Sequence, residues 1–274
     1  MKSLRDLDTF SRKLPSGENI MPMLFIGHGS PMNAIEENQF SRGWTEIGKT
    51  LPHPQAVLCI SAHWETSGTF VTAMEQPRTI HDFYGFPEEL FEVHYPAPGS
   101  PALAHQTEEI VRKALIQLDE MWGLDHGCWS VLKHLYPSAD VPVLQLSLDH
   151  TKPADWHFDL ASDLAALRRR GVLIVGSGNM VHNLRLIDWQ HPDKPYDWAE
   201  EMNTKIKTRI LEGNTDLLVR YERLGESAHL AIPTPEHYLP LLYILASREP
   251  NERITIFNDK AILGSISMTS LHIS

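Results

Sequence analysis

Apolar and polar positions along the chain follow two regimes. Short runs of Val, Ile, Leu and Phe, bounded by Gly, Pro or polar residues, predict strands over 22–27, 56–62, 68–74, 141–147, 171–176, 253–257 and 265–272. Between them, apolar residues recur every three to four positions and predict helices over 39–50, 100–118, 128–135, 154–169, 196–212, 215–223 and 235–247. In 100–118 the repeating face is Leu103, Thr107, Ile110, Val111, Ala114 and Leu118. Strands that are apolar throughout are buried on both sides, and strands separated by helices pair in parallel. The expectation is therefore an α/β fold, a single domain over 21–274 whose mostly parallel central sheet is flanked by helices on both faces, preceded by an N-terminal arm over 1–20. One stretch, 76–99, fits neither regime: it is rich in Pro, Gly and aromatic residues, and long irregular segments inside compact domains are often functional.

Three of the apolar runs lead into a histidine. Leu24-Phe25-Ile26-Gly27 is followed by His28, Val57 to Ala62 by His63, and Val172 to Gly176 by His182 a few residues on. Ligands of parallel sheets gather at the carboxyl ends of strands, so these histidines are expected to meet at one rim around a metal ion. Ser30-Pro31 after His28 suits a helix start, with Ser30 as cap and Pro31 in the first position. A fourth histidine, His237, follows Thr234-Pro235-Glu236, which reads as the start of helix 235–247 with Thr234 capping. The positive end of a helix disfavours imidazolium, leaving His237 neutral and able to offer a lone pair. Glu236 is either a ligand in its place or a carboxylate drawn to the same helix end.

Bulk properties remove several classes of function. Hydrophobic residues make up 42% of the chain and charged residues 22%, as in ordinary globular proteins. No apolar run approaches the roughly 18 residues that span a bilayer, so no membrane partner is expected. The net charge of −11 opposes binding to nucleic acid, which needs a concentrated basic surface. The one compact basic run, Arg168-Arg169-Arg170, reads as the solvated end of helix 154–169. Cys59 and Cys128 match no metal or redox spacing and read as buried free thiols. The first twenty residues carry charges throughout and lack a secretory core, which leads to the expectation of a cytoplasmic protein, monomeric or a small homo-oligomer.

Further residues could serve the same centre. His126, in a short turn, is either held by Asp125 or acts as an acid or base on substrate. His81 and His94 either contact substrate or brace the loop, and Trp64, Phe83, Tyr84 and Phe86 offer flat walls for a ring. Arg78 and Arg185 are possible partners for a substrate carboxylate, or ordinary surface charges.

Taken in order, Gly27-His28-Gly29-Ser30-Pro31, Ser61-Ala62-His63-Trp64, Tyr95-Pro96-Ala97-Pro98-Gly99, Leu124-Asp125-His126-Gly127, Gly178-Asn179-Met180-Val181-His182-Asn183 and Thr234-Pro235-Glu236-His237-Tyr238-Leu239-Pro240 resemble the LigB-type, class III extradiol ring-cleaving dioxygenases, most closely their DOPA 4,5-dioxygenase branch. The resemblance runs from about Met21 to the C-terminus. It implies non-haem Fe(II), a small aromatic diol such as DOPA, and O₂ inserted next to the two hydroxyls. It further implies His28 and His63 as metal histidines, His237 as third ligand, and His182 beside the metal, as a further ligand or as the base. His126 is then the second catalytic candidate, and Trp64, Phe83, His81 and His94 the substrate-facing set. Larger members of the family use a carboxylate as third ligand, and a histidine-rich set also suits Zn(II). The competing readings are a zinc-dependent hydrolase and a non-catalytic binding protein of the same fold.

Overall fold

The computed structural model describes residues 20–274, so the expected N-terminal arm lies outside the described residues except for Ile20. Among the described residues ten strands are present: β1 (Met23–Gly27), β2 (Ala56–Thr66), β3 (Thr69–Thr72), β4 (Ile116–Asp119), β5 (Val143–Asp149), β6 (Val172–Gly178), β7 (Ile254–Phe257), β8 (Ala261–Ile262), β9 (Ile266–Ser267) and β10 (Ser270–Ile273). Eight of them form one sheet in the order β4-β3-β5-β2-β6-β1-β10-β7, and β8 pairs with β9 apart from it. The central four, β5-β2-β6-β1, are parallel to one another, whereas β3 on β5, β10 on β1 and β7 on β10 run antiparallel. A mostly parallel sheet is what the apolar strand runs imply.

Side chains of these strands divide by alternation between two cores. Met23 and Phe25 of β1 join Leu58 and Ile60 of β2 in one. There they meet helices α2 (Pro101–Ile110), α4 (Ala154–Arg168), α5 (Asp197–Leu211) and α6 (Leu239–Ala246). Leu24, Ile26, Val57 and Cys59 face the other way, onto α1 (Gln39–Thr50) and α3 (His126–Leu135). Local chemistry sets the helix starts. Asn38 accepts from the amides of Phe40 and Ser41 while the Ser41 hydroxyl accepts from the Asn38 amide, a reciprocal cap worth about 1 kcal/mol. Ser30 caps a short 3₁₀ turn with Pro31 at its first position, as expected.

Four expectations are corrected. Helix 100–118 ends at Ile110, and Ile116–Asp119 turns back as strand β4 beside β3. Strand 265–272 is two pieces, β9 and β10, broken at Met268, whose amide donates to Lys260. Helix 235–247 begins only at Leu239, because Pro235 to Tyr238 form a turn in which the Tyr238 amide donates to the Pro235 carbonyl. Arg168 is not solvated: it is 1% exposed, pairs with Glu252, and donates to the carbonyls of Met21 and Ser247. Its long stem and fixed fork let it close the amino-terminal edge of the sheet against the segment after α6.

Candidate metal centre

The carboxyl ends of β1, β6 and β2 lie side by side and set the floor of the site. His28 leaves β1 with its amide bonded to the Gly178 carbonyl. His63 sits inside β2 where the pairing with β5 shifts register between Ile60 and Glu65, an irregularity of the kind that re-aims side chains. His237 is carried onto the end of β6 because Gly178 has no side chain. A Cβ there would stand 2.2 Å from the His237 carbonyl oxygen, which instead accepts from the Asn179 amide at 2.8 Å. His182 follows, anchored by its amide to the Ala231 carbonyl. His126 opens α3, whose cap is Asp125.

Hydrogen bonds decide which nitrogen each ring offers. The Ser177 hydroxyl spends its one proton on the Gly127 carbonyl, so it can only accept from His28 Nδ1, 3.0 Å away. His28 therefore carries its proton on Nδ1 and presents a lone pair on Nε2. His237 Nδ1 is likewise engaged by Glu236 Oε1 at 3.0 Å, a carboxylate oxygen that also accepts from Thr234. His63 Nδ1 lies 3.5 Å from Asp82 Oδ2, which favours a proton there too. His63 Nε2 then faces His28 Nε2 at 3.1 Å. Two lone pairs at that distance repel unless a cation lies between them. Two nitrogens bound to one ion at about 2.1 Å stand roughly 3.0–3.4 Å apart.

The His237 ring lies at a comparable centre-to-centre separation. Imidazoles on a common ion at 90–110° have centres about 4.5–5.3 Å apart, and the separations are 5.0 Å for His28 and His63, 5.0 Å for His63 and His237, and 5.4 Å for His28 and His237. His182 differs. It lies flat on His237, centres 3.4 Å apart and planes 10° from parallel. In-plane lone pairs of stacked rings do not converge, so His182 and His237 do not aim theirs at one common point. By ligand-atom distance two groups within 4.8 Å emerge, His28 with His63 and His126, and His182 with Glu236 and His237.

Burial keeps four of these imidazoles neutral. Burial, reinforced by the neighbouring imidazoles, pushes His28, His63 and His237 well below the ordinary histidine range. Burial and His126 push His182 down to about 4. Around the neutral rings stand carboxylates. Burial of Asp82 would raise its pKa, but hydrogen bonds and charge from His126 and charge from His63 outweigh it and hold the group low. Burial and the charge of Asp82 raise Asp125 to about 6, although Gln145 and Ser61 donate to it at 2.7 Å each. Neutral donors ringed by negative groups are a cation site by composition.

The structure brings together His28, His63, His126, His182 and His237 from five separate stretches of sequence, and it sorts the remaining candidates. His126 is held not by Asp125, which is spent on capping α3, but by Asp82. Phe83 lies edge-on to His126 at 5.6 Å. Trp64, the next strand residue after His63, points the opposite way, is 3% exposed and stacks on Trp122. His81 donates to the Val93 carbonyl and His94 bonds Thr79, so both brace the 76–99 segment. Tyr84 is 91% exposed, Phe86 packs on Phe83, and Arg78 bonds the Trp122 carbonyl. Sequence reasoning missed Asp82 and Ser177. For Asp82 the segment had been singled out but not the residue; Ser177 carried no signal, since its role depends on three elements meeting.

Comparison with known proteins sets this centre in context. Residues 22–254 match the family described as the catalytic LigB subunit of aromatic ring-opening dioxygenase. The chain is 51% identical over 257 residues to the 4,5-DOPA dioxygenase extradiol of Escherichia coli K12, covering 92% of this chain and 94% of that protein. It is 34% identical to the protein of the same name from Beta vulgaris, covering 89% and 93% respectively. Among solved structures, an uncharacterized protein from Escherichia coli K12 superposes with a TM-score of 0.81 at 47% identity, over 93% of this chain and 100% of the other.

Proposed function

The chain belongs to the LigB family of aromatic ring-opening dioxygenases, and from that premise we propose that it is an extradiol dioxygenase acting on DOPA or a closely related small catechol. Both atoms of O₂ enter the substrate and the ring opens beside the two hydroxyls, in the 4,5 sense for DOPA. Membership of the family implies a catalytic metal. We assign it to His28, His63 and His237, with non-haem Fe(II) as the working ion and Zn(II) as a competitor for the same nitrogens. The observation that carries the assignment is the pair of Nε2 atoms 3.1 Å apart, with Nδ1 of His28 committed to Ser177. Bound there, ferrous iron would supply Lewis acidity for the diol oxygens and the redox capacity that dioxygen chemistry needs.

The protein's own groups do the rest. His182 is neutral at physiological pH and lies beside His237, placed to accept a proton from a catechol hydroxyl as the diol docks. On the opposite side His126 is placed to hydrogen-bond the second oxygen, and the edge of Phe83 closes the apolar wall beside it. The reading places the enzyme in the cytoplasm. In support, Cys59 and Cys128 are buried and unpaired, and no helix among the described residues is long and apolar enough to cross a membrane.

The test is reconstitution. Protein stripped of metal is loaded anaerobically with Fe(II) or Zn(II), given DOPA or other catechols in air, and followed by oxygen uptake and a new visible chromophore. Oxygen consumption confined to the iron form is the expected result. No uptake with any catechol would overturn the reading and favour a zinc hydrolase or a binding protein.

A further inference from the structure

We propose that Asp82 is a positioning residue for this reaction: it fixes a proton of His126 on Nδ1, so that Nε2 is the nitrogen His126 turns toward the substrate. The proposal rests on the reading that a catechol docks against His126. Asp82 comes from the irregular 76–99 segment and grips His126 twice. Its Oδ1 accepts from the His126 amide at 2.8 Å and its Oδ2 accepts from His126 Nδ1 at 2.8 Å. An ionised carboxylate has no proton to give, so Nδ1 must be the donor. His126 Nε2 has no hydrogen-bond partner among the described residues, although the side chain is almost wholly buried.

The same carboxylate also reaches across elements. Its Oδ2 lies 3.5 Å from Nδ1 of His63, so one group orders a ring from β2 and a ring from α3. Its chain neighbour Phe83 packs edge-on against His126 and toward Trp129. The dipeptide thus sets both the polar and the apolar side of one wall of the site. A carboxylate that fixes the tautomer of an imidazole is a recurring device of metal and acid–base sites, and removing its charge while keeping its shape disables the imidazole without displacing it.

Asp82→Asn is the decisive variant. Asparagine has one acceptor oxygen and one donor NH₂, so it cannot accept from both the His126 amide and Nδ1. Keeping the backbone bond puts NH₂ against Nδ1, which must then accept, and the proton moves to Nε2. The KM for catechol should stay within about twofold of wild type while kcat per bound iron falls by about 100-fold or more. In a His126→Ala background the added Asp82→Asn change should alter kcat less than about twofold, because the two act as one unit. Nitrogen NMR of the metal-free proteins should show His126 protonated at Nδ1 in wild type and at Nε2 in the variant. A wild-type His126 protonated at Nε2, a kcat loss that adds fully to that of His126→Ala, or a loss explained wholly by missing iron would each overturn the proposal. Wild-type protein that opens no catechol would sink the functional reading, and the nitrogen spectra would still decide whether Asp82 sets the tautomer.

Discussion

His157 and the rim histidines share a residue type and deep burial, and burial lowers the pKa in both places. Behind the sheet, His157 has both nitrogens partnered: Nδ1 meets the Tyr243 hydroxyl at 2.8 Å and Nε2 the Asp149 carbonyl at 3.2 Å. At the rim, Ser177, Glu236 and Asp82 engage the Nδ1 atoms of His28, His237 and His126, and the second nitrogens turn inward. Burial and a shifted titration are common to both regions and so identify neither. The difference is whether the last polar atom of each ring is used up. A histidine with both nitrogens satisfied is part of the scaffold; several with one nitrogen unused and converging are a receptor for something absent from the chain.

The comparison breaks most visibly at His63. His63→Ala removes one of the two facing Nε2 atoms and should abolish metal retention, measured by metal content after dialysis, with complete loss of turnover. Retention of a full equivalent of metal would move the centre elsewhere in the cluster. His182→Phe keeps a flat ring on His237 but removes the base; metal content should persist while kcat drops by about 100-fold. Loss of metal in that variant would make His182 a ligand despite the stacked geometry.

The smallest effect belongs to His157. His157→Leu should leave metal content and kcat unchanged and cost about 1–3 kcal/mol of stability, because the Tyr243 hydroxyl and Asp149 carbonyl lose their partner. It should also change the response to pH. The folded pKa of His157 is lowered to about 4 from the ordinary 6.5, so between those values the unfolded chain binds more protons and wild-type stability rises with pH. The variant should show a shallower rise across that window in denaturant titrations. An unchanged slope would mean that His157 does not titrate on unfolding.

What the sequence disclosed and what it concealed follow one rule. Groups on regular elements were legible, because an apolar run ending in His28 or His63 says both that a strand is present and where its end points. Pairings made by the tertiary fold were not. In 100–118 the apolar residues at three-to-four spacing continue past Ile110 through Val111, Ala114 and Leu118, and only Ile116 falls off that face. What ends the helix is Asp163, fifty residues on, which accepts from the amides of Arg112 and Lys113. Arg168 looked like a helix-end cation because Glu252 is distant in sequence. Asp82 was hidden for the same reason: its partner His126 lies 44 residues away, while the adjacent Asp125 offered a nearer and mistaken explanation.

The strand that carries His28 is flanked by residues made late. On one side is β6 and on the other β10, where the Ser270 hydroxyl accepts from the Gly27 amide at 3.1 Å. Gly27 is glycine because a Cβ would stand 2.6 Å from the Met268 carbonyl carbon. The seating of His28 therefore waits on a contact between residues 243 positions apart, a long-range closure that local structure cannot replace.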